Sequence, residues 1–296
     1  MEKINLGVKN IVSTNIISEN NSFLENILNS PIKDSVIPSC SIQENDSNWD
    51  IHFKKGEFSV DYLISKNQIN YSNDPKEFAE WDILFLVRQT LERQLQQKGF
   101  LSLHSSSLEL NNHAVLFFGE SDSGKTSLVL ESSKEGFGYL SNEWTIIDGK
   151  SYNIVAGTQP IISKRKVIDN FFPNINAPSF SPASHLSIYD PSDLFERREI
   201  VSHLKLLIIP KIKDSFFIFN ARKNIVKNSL FESSSLYITG NYLMNDVSCA
   251  SAPNLDTLEC RENRANIINH LVDKYEPLVI EGLPKDILNY VKGKLI

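Results

Sequence analysis

A chain of 296 residues, 41% hydrophobic and 10% aromatic, carries enough apolar material for one large domain or two smaller ones, which excludes disorder throughout. A formal net charge of −6 argues against a nucleic-acid or anionic-membrane surface as the main partner. The three cysteines, Cys40, Cys249 and Cys260, are widely spaced and form neither a disulfide frame nor a ligand pattern with the six histidines, so they read as buried thiols of a reducing compartment.

The first residues, Met1-Glu2-Lys3-Ile4-Asn5, lack the apolar region of a signal peptide. The longest apolar run, Leu204 to Pro210 apart from Lys205, is far too short to span a bilayer. A cytoplasmic protein is expected, with neither membrane nor nucleic acid as partner. No repeat period stands out, so a solenoid is not expected.

Residues 1 to about 72 alternate short apolar runs with Asn, Ser and Lys clusters, and Trp49–Phe53 and Phe58–Ile64 have the period of two that marks strands. They predict a β-rich N-terminal accessory region over 1–75. Asn73-Asp74-Pro75-Lys76-Glu77 combines an N-cap candidate, a Pro at the first helical position and a Glu at the third, while Lys98-Gly99 forms a stop. Between them Phe78, Trp81, Leu84, Phe85, Leu91 and Leu95 fall broadly on one face, with Val87 one position off the stripe. The pattern predicts a connecting helix over 76–98, packing the N-terminal region onto a domain over 99–296.

Within that domain, strands are expected at about 101–110, 114–118, 138–147 and 151–156, with a turn at Asn111-Asn112. Further strand-like runs are Leu204–Pro210 and Ser215–Asn220. The segment 172–184, with three prolines and many small polar residues, reads as a surface loop in preference to a substrate-covering lid. Glu259–Tyr275 and Leu283–Lys292 have helical spacing, with Leu271 and Val272 among the buried positions.

The chemistry concentrates at Gly119-Glu120-Ser121-Asp122-Ser123-Gly124-Lys125-Thr126, a full match to G-x-x-x-x-G-K-[ST]. The apolar run Ala114-Val115-Leu116-Phe117-Phe118 precedes it, and Ser127-Leu128-Val129-Leu130 continues as a helix. In that setting Gly119 and Gly124 can take conformations that a side chain would forbid, so successive N–H groups turn inward as an anion nest at the positive end of a helix. Lys125 adds a mobile full charge for β- and γ-phosphates, and the Thr126 hydroxyl is placed to ligate Mg²⁺. ATP or GTP binding follows as an expectation.

After the helix reaches Lys134-Glu135-Gly136, the run Tyr139–Ile147 carries Asn142 and Glu143 on what reads as a short strand, turned at Asp148-Gly149. Asn142 lies sixteen positions after Thr126. Most phosphate-loop NTPases place their metal-binding acid much further along. The order of a His in a strand (Leu103-His104-Ser105-Ser106-Ser107-Leu108-Glu109-Leu110), the loop, one short helix and a polar pair on the next strand resembles HPr kinase/phosphorylase and the kinases related to phosphoenolpyruvate carboxykinase. It is closest in flavour to the HPr-kinase-like enzymes encoded with lasso peptides, which phosphorylate a serine of the precursor peptide. The similarity covers roughly residues 80 to 150 and fades outside it.

The resemblance implies an α/β fold with a mixed sheet around the phosphate loop, ATP and Mg²⁺ as cofactors, and phosphoryl transfer to a Ser or Thr hydroxyl of a peptide or small protein, plausibly a precursor peptide. It also implies that Glu120, Ser121, Asp122, Ser123 and Ser127 line the nucleotide together with Gly119, Gly124, Lys125 and Thr126. Glu143 would serve as base or metal-side carboxylate, with Asn142 and His104 beside it. Two departures stand out. The family shows two consecutive aspartates where this chain has Asn142 and Glu143, and an amide cannot take up a proton as a carboxylate does; catalysis would then rest on Glu143 or on ionisation of the substrate assisted by His104. The Glu-x-Arg-Gly motif of the bifunctional enzymes is missing, so phosphorolysis is not expected.

The cluster Lys164-Arg165-Lys166 reads as a solvated turn before a grip on γ-phosphate or an acidic substrate segment, and Arg197-Arg198 carries the same ambiguity. Two other readings keep the nucleotide. One is a small-molecule alcohol kinase on the same site, and the other is a catalytically weak, nucleotide-gated binding protein. A regulatory GTPase is disfavoured because no N-K-x-D base-reading motif is evident. Nothing in the sequence sets the oligomeric state.

Overall fold

The computed structural model describes residues 1–296 except 31, 46, 56–58, 74–79, 174–185, 196–200 and 241–253. The fold is mixed α/β, and the chain divides into two compact units, 1–98 with 235–263 and 99–234 with 264–296. Among the described residues no helix is long and apolar enough to cross a membrane.

The first unit contains β1 (Glu2–Val8), β2 (Val12–Ser18), α1 (Asn21–Asn29), α2 (Lys33–Val36), β3 (Cys40–Ile42), β4 (Asp50–Lys55), β5 (Ser59–Leu63), β6 (Gln68–Asn73) and α3 (Glu80–Gln97). Its strands form one sheet in the order β3-β1-β2-β4-β6-β5, parallel at β2–β4 and β4–β6 and antiparallel elsewhere. The parallel step from β2 to β4 needs a crossover, and α1 lies in it. Asn20 caps that helix by accepting from Phe23 N–H, and Phe23 stacks on Phe53 of β4 at 4.3 Å.

The helix expected over 76–98 is present as α3 from Glu80; its proposed cap at 74–77, and Phe78, lie outside the described residues. One expected face is too narrow a description of it. Leu84, Leu91 and Leu95 are buried as the stripe requires, but so are Val87, Arg88, Gln89, Thr90, Glu92 and Gln96. The reason is that 235–263, which the sequence reading places in the nucleotide-binding domain, groups with this unit. Gln89 donates to Ile238 O (3.4 Å), Arg93 to Leu255 O (3.3 Å) and Asn263 to Gln96 O (3.1 Å). The buried polar residues of α3 are therefore bonded partly to this returning chain and partly within the unit, Thr90 to Thr14 of β2 (2.6 Å) and Arg88 to Glu92 (2.9 Å). A polar cleft of about 420 Å³ in this unit, bordered by Asn10, Ser13, Gln43, Gln94 and Lys98, holds none of the predicted site residues.

The second unit contains β7 (Phe100–Leu110), β8 (His113–Phe118), α4 (Lys125–Ser132), β9 (Gly138–Ser141), β10 (Trp144–Asp148), β11 (Asn153–Gly157), β12 (Ile161–Lys164), α5 (Arg165–Phe171), β13 (Leu186–Tyr189), β14 (Ser202–Ile212), β15 (Phe217–Asn220), α6 (Lys223–Ser235), α7 (Leu258–Tyr275, from Arg264 on), β16 (Leu278–Gly282) and α8 (Pro284–Leu295). An eight-stranded mixed sheet runs β11-β10-β7-β8-β14-β16-β15, with β9 also on β7. β11 pairs again with β14 at Asn153–His203 and Ile154–Ser202, so β11, β10, β7, β8 and β14 form a closed circuit. The β7–β8 hairpin turns at Asn111 (φ 54°) and Asn112 (φ 62°), the two left-handed positions that Asn tolerates in a tight hairpin.

β8 is apolar from Ala114 to Phe118 because both its faces are covered there. Val115 and Phe117 pack in one cluster with Leu128 and Val129 of α4, Ile208 and Ile280 of the parallel neighbours β14 and β16, and Ile287 and Leu288 of α8. Ala114, Leu116 and Phe118 pack on the other side with Leu101, Leu103, Leu207, Leu230, Leu271 and Val272. This central position holds the start of the following loop rigidly. Leu116→Ala, at a fully buried position, should cost about 2–5 kcal/mol in chemical denaturation, read as a lower midpoint at unchanged slope.

Candidate functional site

The chain leaves β8 at Phe118, makes the loop Gly119–Gly124, and enters α4 at Lys125. Gly119 (φ 135°) and Gly124 (φ 102°) occupy conformations that side chains rarely adopt, and Asp122 (φ 60°) is left-handed as well. At Gly124 a side chain is also excluded by space, since a Cβ there would collide with Ile212 Cγ1 at the end of β14. The first N–H groups of α4 have no partners within the helix. The Ser123 hydroxyl is buried without a hydrogen-bond partner. Thr126 and Ser127 are half-buried, whereas Glu120, Ser121 and Asp122 are exposed.

Lys125 is buried and folds back over the loop, its Nζ donating to Gly119 O (3.0 Å) and Glu120 O (2.9 Å). Burial lowers its pKa from the ordinary 10.5, opposed by the Glu143 and Asp122 carboxylates. Those two acids therefore share the field of the ammonium group. Lys164, the last residue of β12, makes a 3.0 Å ion pair with Asp122 of the loop. The basic cluster seen in the sequence thus divides: Lys164 meets the loop, Arg165 pairs with Asp169 one turn along α5 (2.7 Å), and Lys166 is exposed. Both pairs are well exposed, so they orient side chains more than they add stability. Arg197 and Arg198, and residues 174–184 of the proline-rich segment, lie outside the described residues.

The strand expected over 138–147 is two strands. β9 ends at Ser141, β10 begins at Trp144, and Asn142 and Glu143 form the break between them. Both pieces still pair with β7, at Ser107–Ser141 and at His104–Trp144. Across the break the backbone finds other partners. Ser106 Oγ donates to Asn142 O (2.7 Å) and Ser105 N–H to Glu143 O (3.0 Å). The N–H groups of Glu143 (3.1 Å) and Trp144 (2.9 Å) both donate to Thr158 Oγ1. Ser107, Ser141 and Thr145 link their hydroxyls in a chain at 2.6 and 2.5 Å. Of the three consecutive serines of β7, Ser106 thus satisfies the interrupted ladder through its hydroxyl, whereas the Ser105 hydroxyl returns to Leu103 O (3.2 Å) and that of Ser107 joins the chain of hydroxyls. Sequence reasoning overlooked Thr158 and the structural use of Ser105–Ser107; the serine run itself was the available signal.

The break presents Glu143. Its Oε2 lies 3.1 Å from His104 Nε2, and its Oε1 accepts from Asn142 Nδ2 at 3.1 Å. The His104 ring packs on Trp144 at 5.3 Å, and the backbone N–H of His104 donates to Ser233 Oγ (3.0 Å), so both ends of the residue are held. Asn142 is buried and neutral. An aspartate in its place would set a second negative charge against Glu143, whereas the amide donates to that carboxylate. The predicted residues His104 and Asn142 thus both bond Glu143, to which Lys125 is coupled electrostatically.

Glycines at positive φ, an unsatisfied buried hydroxyl, helix-start N–H groups without partners in the helix and a buried ammonium form a donor set suited to a polyphosphate. Among the described residues no three His, Cys, Asp or Glu side chains group as a metal cage. Mg²⁺ commonly takes one or two protein ligands with phosphate oxygens and waters, and the Thr126 hydroxyl and Glu143 carboxylate are oxygen donors of the kind it takes. No protein-family model and no curated protein matches this chain.

Thr158→Val, nearly isosteric, removes the acceptor shared by two buried N–H groups and should cost about 1–3 kcal/mol of stability by denaturant titration. Above the lowered folded pKa of Lys125 and below 10.5, the unfolded chain binds more protons than the folded one, so ligand-free stability should rise with pH across that window. The rise should be smaller in Lys125→Met, as read from denaturation midpoints along an alkaline pH series.

Proposed function

We propose that this chain is an ATP-dependent phosphotransferase of the HPr-kinase-like, phosphoenolpyruvate-carboxykinase-related type, acting on a Ser or Thr hydroxyl of a peptide or small protein in the cytoplasm. The observation that carries the reading is that Glu143, bonded to His104, lies within the electrostatic field of the loop lysine Lys125. One carboxylate thereby bonds a histidine able to share a proton and acts through its charge on the lysine that would hold a terminal phosphoryl group. The site geometry fits the family resemblance in the order His104, loop, Glu143. A ribosomally made precursor peptide is the favoured acceptor within this class.

In the proposed reaction the acceptor oxygen forms a bond to the γ-phosphorus as the bond from the β–γ bridging oxygen breaks, releasing ADP. The hydroxyl proton passes to the Glu143 carboxylate, which His104 orients by donating from Nε2–H to Oε2. Lys125 leaves its two loop carbonyls to hold the β- and γ-phosphates, and the N–H groups of Gly124 to Ser127 receive the bridging charge. Thr126 and Glu143 would hold Mg²⁺, which when bound supplies neutralising charge to the phosphate oxygens. Asn142 keeps the second carboxylate position neutral and fixes the Glu143 rotamer through Nδ2.

Lys125→Ala should lower transfer by more than about 10²-fold while circular dichroism and thermal unfolding stay native-like, because the lysine acts on phosphate charge and not on the core. The measurement is mass spectrometry of hydroxyl-bearing candidate peptides incubated with Mg²⁺ and ATP, scored for one added phosphate. Undiminished transfer in the variant would remove the assigned site, and no transfer by the wild-type chain to any such peptide would remove the kinase reading.

A further inference from the structure

Apolar side chains are exposed beside the loop, on the side away from Glu143. β14 and β16 run parallel to β8, so their carboxyl ends finish at the same edge of the sheet as the loop. There Ile212 is 39% exposed, Phe216 42% and Leu283 45%. Ile212 closes on Gly124. A Cβ on Gly282 would lie 2.8 Å from Phe216 Cδ2, which places the Phe216 ring on the last residue of β16. Lys213 N–H donates to Gly282 O (3.1 Å) and so ties the turn after β14 to the end of β16. The Phe216 ring is 6.5 Å from that of Tyr290, and its position is thus backed by α8. Large side chains on a braced turn expose an apolar shelf next to a nest of N–H groups.

The two sides of the loop differ in kind. Toward β7 and β10 stand His104, Asn142 and Glu143; toward β14 and β16 stands the shelf. A phosphate chain gripped between them has two ends. Its reactive end belongs on the side with the carboxylate, so whatever it is attached to must leave over β14 and β16. In sheets of this kind ligands lie outside the carboxyl ends of the parallel strands. We infer that the shelf formed by Ile212, Phe216 and Leu283 is the nucleoside subsite, with the purine base lying on the Phe216 ring. The inference rests on the nucleotide reading above and adds where, and by what contact, the base is held. Contact with a π-face is tolerant of base identity, so the shelf by itself would accept adenine and guanine alike.

Calorimetry of the full chain with two probes, Mg²⁺-ATP and inorganic tripolyphosphate, separates this subsite from the phosphate loop. Phe216→Ala should weaken ATP about ten-fold, the scale of one stacked base, and leave tripolyphosphate within about two-fold, which also shows that the variant is folded. Phe216→Trp should retain ATP affinity, Leu283→Ala should weaken ATP several-fold, and Lys125→Ala should weaken both probes. ATP binding unmoved by Phe216→Ala and Leu283→Ala overturns the subsite while leaving the loop assignment standing. Equal loss of both probes in Phe216→Ala overturns it too, because the ring would then support the loop and not a base. Wild-type protein that binds neither probe ends the nucleotide reading, and the subsite with it.

Discussion

The direction of the Glu143 carboxylate depends on an interrupted strand whose backbone groups are satisfied by hydroxyls. Had 138–147 continued as one regular strand, every N–H and C=O would belong to a ladder, and side chains would alternate strictly between faces. The break at Asn142 and Glu143 gives up that regularity. Buried backbone groups cannot be left without partners, so the break is possible only because Ser105, Ser106 and Thr158 supply them. The two N–H groups converging on Thr158 Oγ1 tie the break to the end of β11, where Gly157 permits a close approach: a Cβ there would collide with Ser141 Cβ. The polar residues of β7 thus serve the backbone first and the site through it.

Charge is distributed around that backbone with the same economy. A buried ammonium is costly, and Lys125 offsets part of the cost through two loop carbonyls and the field of Glu143 and Asp122. These partners are weak substitutes for full neutralisation. Asp122 places negative charge on the exposed part of the same loop, and Lys164 offsets it from outside. Neutral Asn142 next to Glu143 avoids a second buried carboxylate. On the other side of β8 the character changes to apolar contacts between Ile209, Ile212 and the loop glycines. Polar and apolar flanks on a rigid central strand suit a ligand that is charged at one end and flat at the other.

Much of this architecture could be read along the chain because it rests on local rules. The glycine-rich motif, the apolar run before it and the Asn111-Asn112 turn each specify backbone conformation through their own residues. β7, β8, β11, β14, β15, α7 and α8 follow from periodicities confined to a few positions, whereas α5, α6, β13 and β16 were not read from the sequence. What escaped was non-local. The split of β9 from β10 depends on Thr158, some fifteen positions later, and on serines in a strand far earlier, so no window around Asn142 contains the cause. In the same way α3 has one apparent apolar stripe, but its polar residues also find partners far away in the chain, Gln89 at Ile238 and Thr90 at Thr14.

The sequence alone therefore determined the loop, its lysine and hydroxyl, and the order of histidine, loop and acid, since these are properties of neighbouring residues and spacing. Only the tertiary structure decided that His104 and Glu143 touch, that Asn142 donates to the same carboxylate, and that Lys164 reaches Asp122. Strand pairing makes those contacts: His104 stands opposite Trp144 because β7 and β10 share a register, and register is set by how whole faces of a sheet are buried.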